Sequence, residues 1–552
     1  MRSLVPKPLA VLALAAMVVV GVAHAQSTAT VLLPEDLATM NPYTTTALIT
    51  MQVVPAIVEP LVGVDPDGQY YPILAREVPT VANGGVSEDG RTVTWRLLEG
   101  VVWSDGAPVT ADDVVFTYEA ATTGTDTVRA GAFAAIEAIE AVDDTTVEVR
   151  YGEYNSSYLD QFQWGILPRH ATGDPADMST WGFNRAPIGT GPFALAEWRT
   201  GDRIILEANA RVREERAPRL ERVVFMVVPS EETRAAMMQR GDGDVMLWPG
   251  TNLRDVWDAT ELVNLDTAPE IWILRMFLNL GERGNPVEGQ APHPILGDVR
   301  VRQALAYGID YDLLIDVLAE GRVLRATSPF QLGWYACEQD GYTYDIERAA
   351  ALLDEAGWMM GDDGVRVAQG APHAPDGTRL SLEMVGYSDF RLLEQTMLVI
   401  GDLYRDLGVA TEVRTVEMSV LFGGWSDRAA RKTGDFDILV YDTGTGINPQ
   451  LHVFDLLHSS NIPREENDGA GGNYARWSNA RADELLELGG TSPDLDERRA
   501  AYCEVAELVH DDVPQIFLYQ FAGGHAYASR LQAFQTSTWA GLAWNIADWH
   551  LE

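Results

Sequence analysis

Residues 103 to 120 read WSDGAPVTADDVVFTYEA and hold three aspartates within nine residues. Asp105 precedes a glycine, and this pair is typical of a tight turn because aspartate accepts backbone hydrogen bonds and glycine adopts positive φ angles. Thr110 stands three residues before Asp113, a spacing that predicts a capping box at the start of a helix. Asp112 lies in the first turn of that helix, where the helix dipole favours negative charge. The stretch therefore predicts structural aspartates rather than a metal site or a catalytic cluster.

Outward from this stretch, strand-like runs alternate with helical patterns. The sequence predicts strands at residues 30–33, 92–97, 145–149, 222–228, 273–280, 411–416 and 437–441, with another apolar run at 516–519. It predicts helices at residues 51–62, 230–240, 345–357, 393–407 and 497–509. This alternation is typical of α/β domains, and 552 residues suffice for two or three of them.

The first 25 residues differ from the rest of the chain. Arg2 and Lys7 are followed by an apolar run at residues 9–22 and by the small-residue motif Ala-His-Ala at residues 23–25. This order predicts a secretory signal peptide that is cleaved before Gln26. The alternative is an N-terminal anchor that stays uncut, although the apolar run is short for a membrane span. The predicted location is periplasmic or extracellular.

The chain is strongly acidic, with a formal net charge of −41. Such a surface repels phosphate backbones, so we predict no nucleic-acid partner. The two cysteines, Cys337 and Cys503, permit a single disulfide in an exported protein. The alternative is a pair of buried free thiols.

Sequence motifs of common enzyme classes are absent. The chain contains no G-x-S-x-G, no H-E-x-x-H, no phosphate-binding loop and no G-x-G-x-x-G. His452 and His458 are six residues apart, which does not place both on one helical face for a metal. We therefore predict a protein without catalytic residues, metal or cofactor. An exported hydrolase of peptides or glycans remains the second hypothesis, because paired carboxylates from distant segments leave no local motif.

Six motifs occur in order along the chain. They are AIVEPL with a later DG and PILA at residues 56–75, the stretch from Thr92 to Tyr118, PIGTGPF at 187–193, DVRVRQALAYGID at 298–310, YDIERAAALLDEAGW at 344–358 and DDVPQIFLY at 511–519. Together they resemble the family-five extracellular solute-binding proteins of ABC importers, the oligopeptide, dipeptide and nickel class. The resemblance spans nearly all of the chain after residue 25.

The resemblance implies an α/β, two-lobed periplasmic-binding-protein-like fold of type II, with the ligand in a cleft between the lobes. Lobe 1 is expected at residues 26–281, with an inserted subdomain at about 60–185. Lobe 2 is expected at 282–480, and residues 481–552 are expected to return to lobe 1. The implied partners are a small-molecule or peptide ligand and a membrane permease, which recognises the monomeric protein after its hinge has closed.

The resemblance also implies ten ligand-binding residues. They are Tyr43, Thr45, Thr46, Met51, Arg129, Trp248, Trp272, Trp425, Tyr441 and Asp442. In peptide-binding members an aspartate of a W-x-x-D segment binds the ligand ammonium, whereas here Tyr441 stands for the tryptophan and Asp442 is displaced. An oligopeptide is thus the first expectation, and an oligosaccharide that stacks on tryptophan is the alternative. Arg129 is the candidate for an anionic group of the ligand, and for each tryptophan the alternative is packing.

Overall fold

The structure is a computed structural model that describes residues 27–124, 126–250, 257, 260–388 and 390–552. The predicted signal peptide at residues 1–25 lies outside these ranges. Within them, no helix has the length and apolar character needed to cross a membrane.

Strands and helices alternate along most of the described chain, as predicted. The strands are β1 (Thr28–Leu33), β2 (Val62–Val64), β3 (Tyr70–Pro72), β4 (Thr92–Arg96), β5 (Ile136–Asp143), β6 (Thr146–Tyr151), β7 (Phe193–Arg199), β8 (Arg203–Ala208), β9 (Arg222–Val227), β10 (Val245–Leu247), β11 (Val263–Leu278), β12 (Val323–Arg325), β13 (Trp358–Met360), β14 (Arg366–Ala368), β15 (Ser381–Tyr387), β16 (Ala410–Val416), β17 (Ile438–Gly444), β18 (Gln515–Ala528), β19 (Leu531–Gln532) and β20 (His550–Leu551). The α-helices are α1 (Leu48–Val53), α2 (Ala111–Thr123), α3 (Glu231–Arg240), α4 (Val299–Tyr307), α5 (Ile346–Glu355), α6 (Arg391–Asp406), α7 (Met418–Leu421), α8 (Ala430–Thr433), α9 (Gln450–Leu457), α10 (Ala480–Thr491) and α11 (Leu495–Asp512).

One large sheet runs through the molecule in the order β16-β15-β17-β11-β18-β10-β1-β9-β8-β7, and β12 pairs with β18 outside this path. Its two central strands, β11 and β18, are antiparallel and long, with 16 and 14 residues. β11 pairs with β17 through residues 272–278, and β18 pairs with β10 through residues 525–527. These two strands therefore connect two groups of strands.

Each group of strands has its own hydrophobic core. One core contains buried side chains from Ala29 to Leu247 and again from Leu531 to Trp549, and the other contains side chains from Ile273 to Tyr519. The two cores confirm a two-lobed α/β fold. The chain passes from one group of strands to the other near residues 270 and 521. One half of β11 and one half of β18 lie beside each group. Side chains from Ala482 to Tyr519 pack in the core that begins at Ile273. The lobe boundaries at 281 and 480 stay a prediction.

The expected inserted subdomain contains a separate three-stranded sheet, β4-β6-β5, and the hairpin β2-β3. Its side chains, such as Trp95 and Val147, nevertheless pack in the same core as β1 and β9. These residues thus share a core with β1 and β9, and the bounds of the inserted subdomain stay a prediction.

The opening stretch of sequence forms the predicted capping box. The carboxylate of Asp113 accepts hydrogen bonds from the backbone N–H of Thr110 at 2.9 Å and from the backbone N–H of Arg169 at 2.9 Å. Burial raises the pKa of Asp113. The carboxylate is occupied by backbone donors at a helix start, which confirms its structural role.

Two local predictions have definite outcomes. The helix predicted at residues 51–62 is wrong in extent: α1 ends at Val53, a short 3-10 turn follows to Ala56, and Val62 already begins β2. Pro60 disfavours helical backbone at the residue before it. The two cysteines form a disulfide, with 5.4 Å between the Cα atoms of Cys337 and Cys503.

Candidate functional site

A cavity of about 520 Å³ opens where β11 and β18 cross between the lobes. Its walls come from these two strands, from the ends of β15 and β17, and from α7. The lining residues are Glu270, Trp272, Tyr387, Ser388, Phe390, Met418, Asp442 and Phe521. Carboxyl ends of strands at a place where the chain passes between lobes are a common location for ligands.

An irregularity in β11 supplies two of the lining side chains. The pairing of β11 with β18 shifts between Pro269 and Ile273, so residues 270–272 stand opposite Phe521 alone. The side-chain amide of Gln520 donates a hydrogen bond to the carbonyl oxygen of Glu270 at 2.7 Å and fixes the irregular segment. Such bulges redirect side chains and commonly lie beside functional sites. Here the bulge turns Glu270 and Trp272 into the cavity.

Two carboxylates define the electrostatics of the cavity. The hydroxyl of Tyr387 donates a hydrogen bond to Oδ1 of Asp442 at 2.6 Å. Burial raises the pKa of Glu270, and the nearby charge of Asp442 raises it further. Burial likewise raises the pKa of Tyr387, so its hydroxyl remains a donor. The cavity therefore concentrates negative charge in partly desolvated surroundings.

Aromatic side chains form the rest of the wall. Trp272 is 45% exposed, which is unusual for a tryptophan on a central strand. The rings of Tyr387 and Phe390 are stacked with centroids 6.0 Å apart, and the ring of Phe390 lies 5.7 Å from that of Phe521. These flat apolar surfaces suit an apolar chain, a peptide bond or a sugar face.

Two of the ten predicted residues, Trp272 and Asp442, line this cavity. Tyr43 and Tyr441 are buried in the two cores instead. The hydroxyl of Tyr43 donates to the carbonyl oxygen of Gly165 at 2.7 Å, and the ring of Tyr441 stacks on that of Phe277 with 4.7 Å between centroids. Neither side chain reaches a surface in this conformation, so their placement does not support ligand contact.

Four predicted residues lie outside the cavity lining. Thr45 and Thr46 are in the loop before α1, Met51 is within α1, and Arg129 contacts that loop. The guanidinium of Arg129 donates to the carbonyl oxygens of Pro42 at 3.2 Å and Thr45 at 2.8 Å. It also lies 4.5 Å from the ring centre of Trp164. Arg129 therefore holds the loop in place, and burial lowers its pKa. Ligand contact by these four residues stays a prediction.

The last two predicted residues, both tryptophans, lie elsewhere. Trp248 is 38% exposed and has a φ of 47°, and it directly precedes Pro249 in a second cavity of about 530 Å³ beside the same two strands. Trp425 packs against Gly469 on the second lobe. Their role in ligand binding also stays a prediction.

The lobes contact each other through a loop of the second lobe. The side-chain amide of Asn448 donates to the carbonyl oxygen of Ser156 and to Oγ of Ser157, both at 2.8 Å. The guanidinium of Arg498 donates to Oδ1 of Asn448 at 3.1 Å and orients the amide. Polar contacts of this kind across a cleft form and break at low energetic cost.

The sequence did not indicate the other six lining residues, which are Glu270, Tyr387, Ser388, Phe390, Met418 and Phe521. Glu270, Tyr387 and Phe521 lie outside every predicted strand, and Phe390 precedes the helix predicted at 393–407. The bulge that exposes Glu270 depends on the register with β18. The only available signal is Pro269, since proline is disfavoured inside a central strand.

Comparisons with known proteins agree with this architecture. Residues 69–463 match the family model of "Bacterial extracellular solute-binding proteins, family 5 Middle". The chain is 27% identical to the oligopeptide-binding protein AppA of Bacillus subtilis, over 85% of this chain and 81% of that protein. It is 28% identical to protein XP55 of Streptomyces lividans, over 87% of this chain and 81% of that protein.

The fold also matches solved structures. HbpA2 of Haemophilus parasuis superposes with a TM-score of 0.79 at 21% sequence identity, and the match covers 95% of this chain and all of that one (100%). The chain therefore belongs to family 5 of the bacterial extracellular solute-binding proteins, which are the substrate-binding components of ABC importers and not enzymes.

Proposed function

We propose that this chain captures an oligopeptide or a similar small solute in the cavity between its lobes and delivers it to a membrane permease. The observation that carries the proposal is the bulge at residues 270–272, which places cavity side chains on a strand shared by both lobes. A solute held there contacts the crossing strands and the second lobe together. Its binding energy then favours one arrangement of the lobes over others.

The contacts between Asn448 and the two serines support closure as the mechanism. They join the lobes directly, through the backbone carbonyl of Ser156 and the side chain of Ser157, and Asn448 does not line the cavity. A solute that stabilises the arrangement in which these contacts exist gives the permease a surface that the empty protein presents less often. We propose that the protein acts in this way as an exported monomer after removal of residues 1–25.

An oligosaccharide is the second candidate ligand. The observation in its favour is the half-exposed Trp272 beside Phe390 and Phe521, because sugar faces stack on such rings. The oligopeptide is preferred because the cavity also contains two carboxylates, which suit an ammonium group better than a neutral sugar.

Native mass spectrometry of the exported protein tests the proposal. The protein is purified without denaturation, and the masses that it releases on denaturation are identified. Release of peptides or of another small solute supports the proposal, whereas products of hydrolysis that accumulate with time contradict it. If the protein is empty, a panel of peptides and sugars is screened by thermal shift, and a melting temperature that no solute raises contradicts the proposal.

A further inference from the structure

A pocket of about 230 Å³ in the second lobe lies apart from the cavity between the lobes. Two segments enclose it, one directly after β11 and one between α9 and α10, and none of its lining residues lines that cavity. Arg464, Arg476 and Ser478 belong to the lining. Among its described lining residues there is no aspartate or glutamate, although the whole chain has 81 acidic and 40 basic residues. The charge of this pocket is therefore opposite to that of the chain as a whole.

Arg476 is a buried cation without an anionic partner. It is 6% exposed, and its Nη2 donates to the carbonyl oxygen of Lys432 at 3.3 Å. Its Nε and Nη1 have no hydrogen-bond partner within the part of the chain that the structure describes. A Cβ atom at Gly434 would collide with the guanidinium, so the bare glycine makes room for it. Buried charged groups are normally paired and hydrogen-bonded, and Arg476 is neither paired nor fully bonded.

Arg464 adds a second positive charge to the same pocket. Its side chain is half-buried and forms no ion pair with any described residue, including Glu465 and Glu466, which follow it in sequence. The carboxylate of Glu466 accepts the backbone N–H of Glu288 at 3.3 Å instead. Burial lowers the pKa of Arg476 to about 10, and the charge of Arg464 contributes to this shift. Arg476 therefore stays protonated near neutral pH, and two like charges share one pocket.

The cations beside the pocket do not bring a carboxylate to it. Arg431 donates to the hydroxyl of Tyr474 at 2.7 Å, and Nζ of Lys432 donates to the carbonyl oxygen of Gly471 at 2.8 Å. Asp455 is the carboxylate that acts electrostatically on both of these cations. Its charge does not contribute to the pKa of Arg476. An anion from solution would thus supply the charge that Arg464 and Arg476 lack.

We propose that this pocket binds a tetrahedral oxyanion, phosphate or sulfate, between Arg464 and Arg476. The planar guanidinium group presents paired N–H donors that match two oxygens of such an ion, and the hydroxyl of Ser478 supplies a neutral donor. An ion held by both enclosing segments stabilises the folded second lobe by mass action. The site is independent of the proposed function, because the pocket and the cavity share no residue.

Phosphate chemistry has two sources, the free ion and a lipid headgroup. The net charge of −41 opposes the approach of this protein to an anionic membrane. The free ion is therefore the expected occupant. Both sources use the same two arginines, so the variants below apply to each of them.

Calorimetric titration with sodium phosphate, sodium sulfate and sodium chloride at equal ionic strength tests the inference. The variants of the pocket are Arg464→Gln, Arg464→Lys and Arg476→Gln. Arg428→Gln is the matched control, because Arg428 is an exposed arginine of the same lobe outside the pocket. Its φ of 53° is close to the 56° of Arg476, so the backbone at the two positions is comparable.

We expect phosphate and sulfate to bind the wild type more tightly than chloride does. Arg464→Gln should weaken their binding by about tenfold to a hundredfold, the range for losing a hydrogen bond to a charged group. Arg464→Lys should recover part of the affinity, because lysine keeps the charge but not the fork. Arg476→Gln should abolish binding, and Arg428→Gln should bind as the wild type does. If the buried Arg476 variant does not fold, the half-buried Arg464 still provides the test.

Melting temperatures provide a second readout and need the same control. Phosphate and sulfate stabilise many proteins by exclusion from their surface, and any salt screens an acidic surface. The rise in melting temperature with phosphate should therefore be larger in wild type and Arg428→Gln than in Arg464→Gln. An equal rise in all three proteins overturns the inference, and so does equal phosphate affinity of wild type and Arg464→Gln.

Cosedimentation with vesicles of phosphatidylcholine and phosphatidylglycerol distinguishes the two sources of phosphate. Ion binding without vesicle binding supports the site with the free ion as its occupant. Vesicle binding that Arg464→Gln abolishes supports the same site with a lipid phosphate. If neither the ions nor the vesicles bind, the inference fails, while the capture of a solute between the lobes is unaffected.

Discussion

Replacing Glu59 by glutamine should destabilise the first lobe strongly. Glu59 is 1% exposed, and its carboxylate accepts hydrogen bonds from Nη1 of Arg213 at 2.6 Å, Nε of Arg216 at 3.0 Å and Oγ1 of Thr190 at 3.0 Å. The substitution keeps the shape but removes the charge. It therefore leaves two guanidinium groups beside a neutral amide.

The structure sets the magnitude of this loss. Breaking a buried ion pair by removing one partner costs about 3 to 5 kcal/mol. The side chains of Arg213 and Arg216 keep 12% and 21% exposure, so water partly solvates the charges that remain. We therefore expect the lower end, about 3 kcal/mol.

Glu207→Gln is the matched control. Glu207 also pairs with an arginine of the first lobe, Arg222, at 2.6 Å, but its side chain is 52% exposed. Exposed pairs contribute about 0.2 to 1 kcal/mol because water screens the charges. Urea unfolding followed by tryptophan fluorescence and by circular dichroism gives both values. A loss in Glu59→Gln no larger than in Glu207→Gln would refute the reasoning.

Three further predictions concern the stability of the fold. The double variant Cys337→Ser/Cys503→Ser should lower the free energy of unfolding by about 4 to 5 kcal/mol in urea titrations, because the disulfide closes a loop of 166 residues; a loss below about 1 kcal/mol contradicts this. Arg129→Ala should cost about 1 to 3 kcal/mol by calorimetry, because it removes two hydrogen bonds to backbone carbonyls and the contact with Trp164; an unchanged melting temperature contradicts it. Burial raises the pKa of Asp160 from 3.8 to about 6. The folded protein therefore binds this proton more tightly than the unfolded protein does. The contribution of Asp160 to the wild-type free energy of unfolding falls as the pH rises through that interval. The free energy of unfolding of Asp160→Asn, compared with that of wild type, should therefore be higher at pH 7 than at pH 4. An equal difference between the two proteins at both pH values would refute this prediction.

Features set by short sequence spacing were predictable. The capping box of Thr110 and Asp113 needs residues three apart, and it forms as expected. Ser230 and Asp345 likewise cap α3 and α5 at the predicted positions. Such interactions depend on local backbone geometry, so the sequence contains nearly all of the information that determines them.

Features set by pairing between distant segments were not predictable in the same way. Tyr441 is followed by Asp442 in sequence, yet one side chain points into the core and the other into the cavity, because side chains alternate along a strand. Glu270 enters the cavity because of a register shift against a strand some 250 residues later. The sequence likewise does not indicate that β11 and β18 connect the two groups of strands, because that depends on their pairing with β17 and β10.

Hydrogen–deuterium exchange of the full exported chain, with and without a pool of short peptides, tests the central claim most directly. Capture between the lobes predicts slower exchange at residues 270–272, at the start of α6 and near Phe521, together with slower exchange around Asn448 and Ser156 where the lobes meet. Slower exchange confined to the second cavity at Pro249 and Leu324, or an unchanged lobe contact despite binding, would contradict the account.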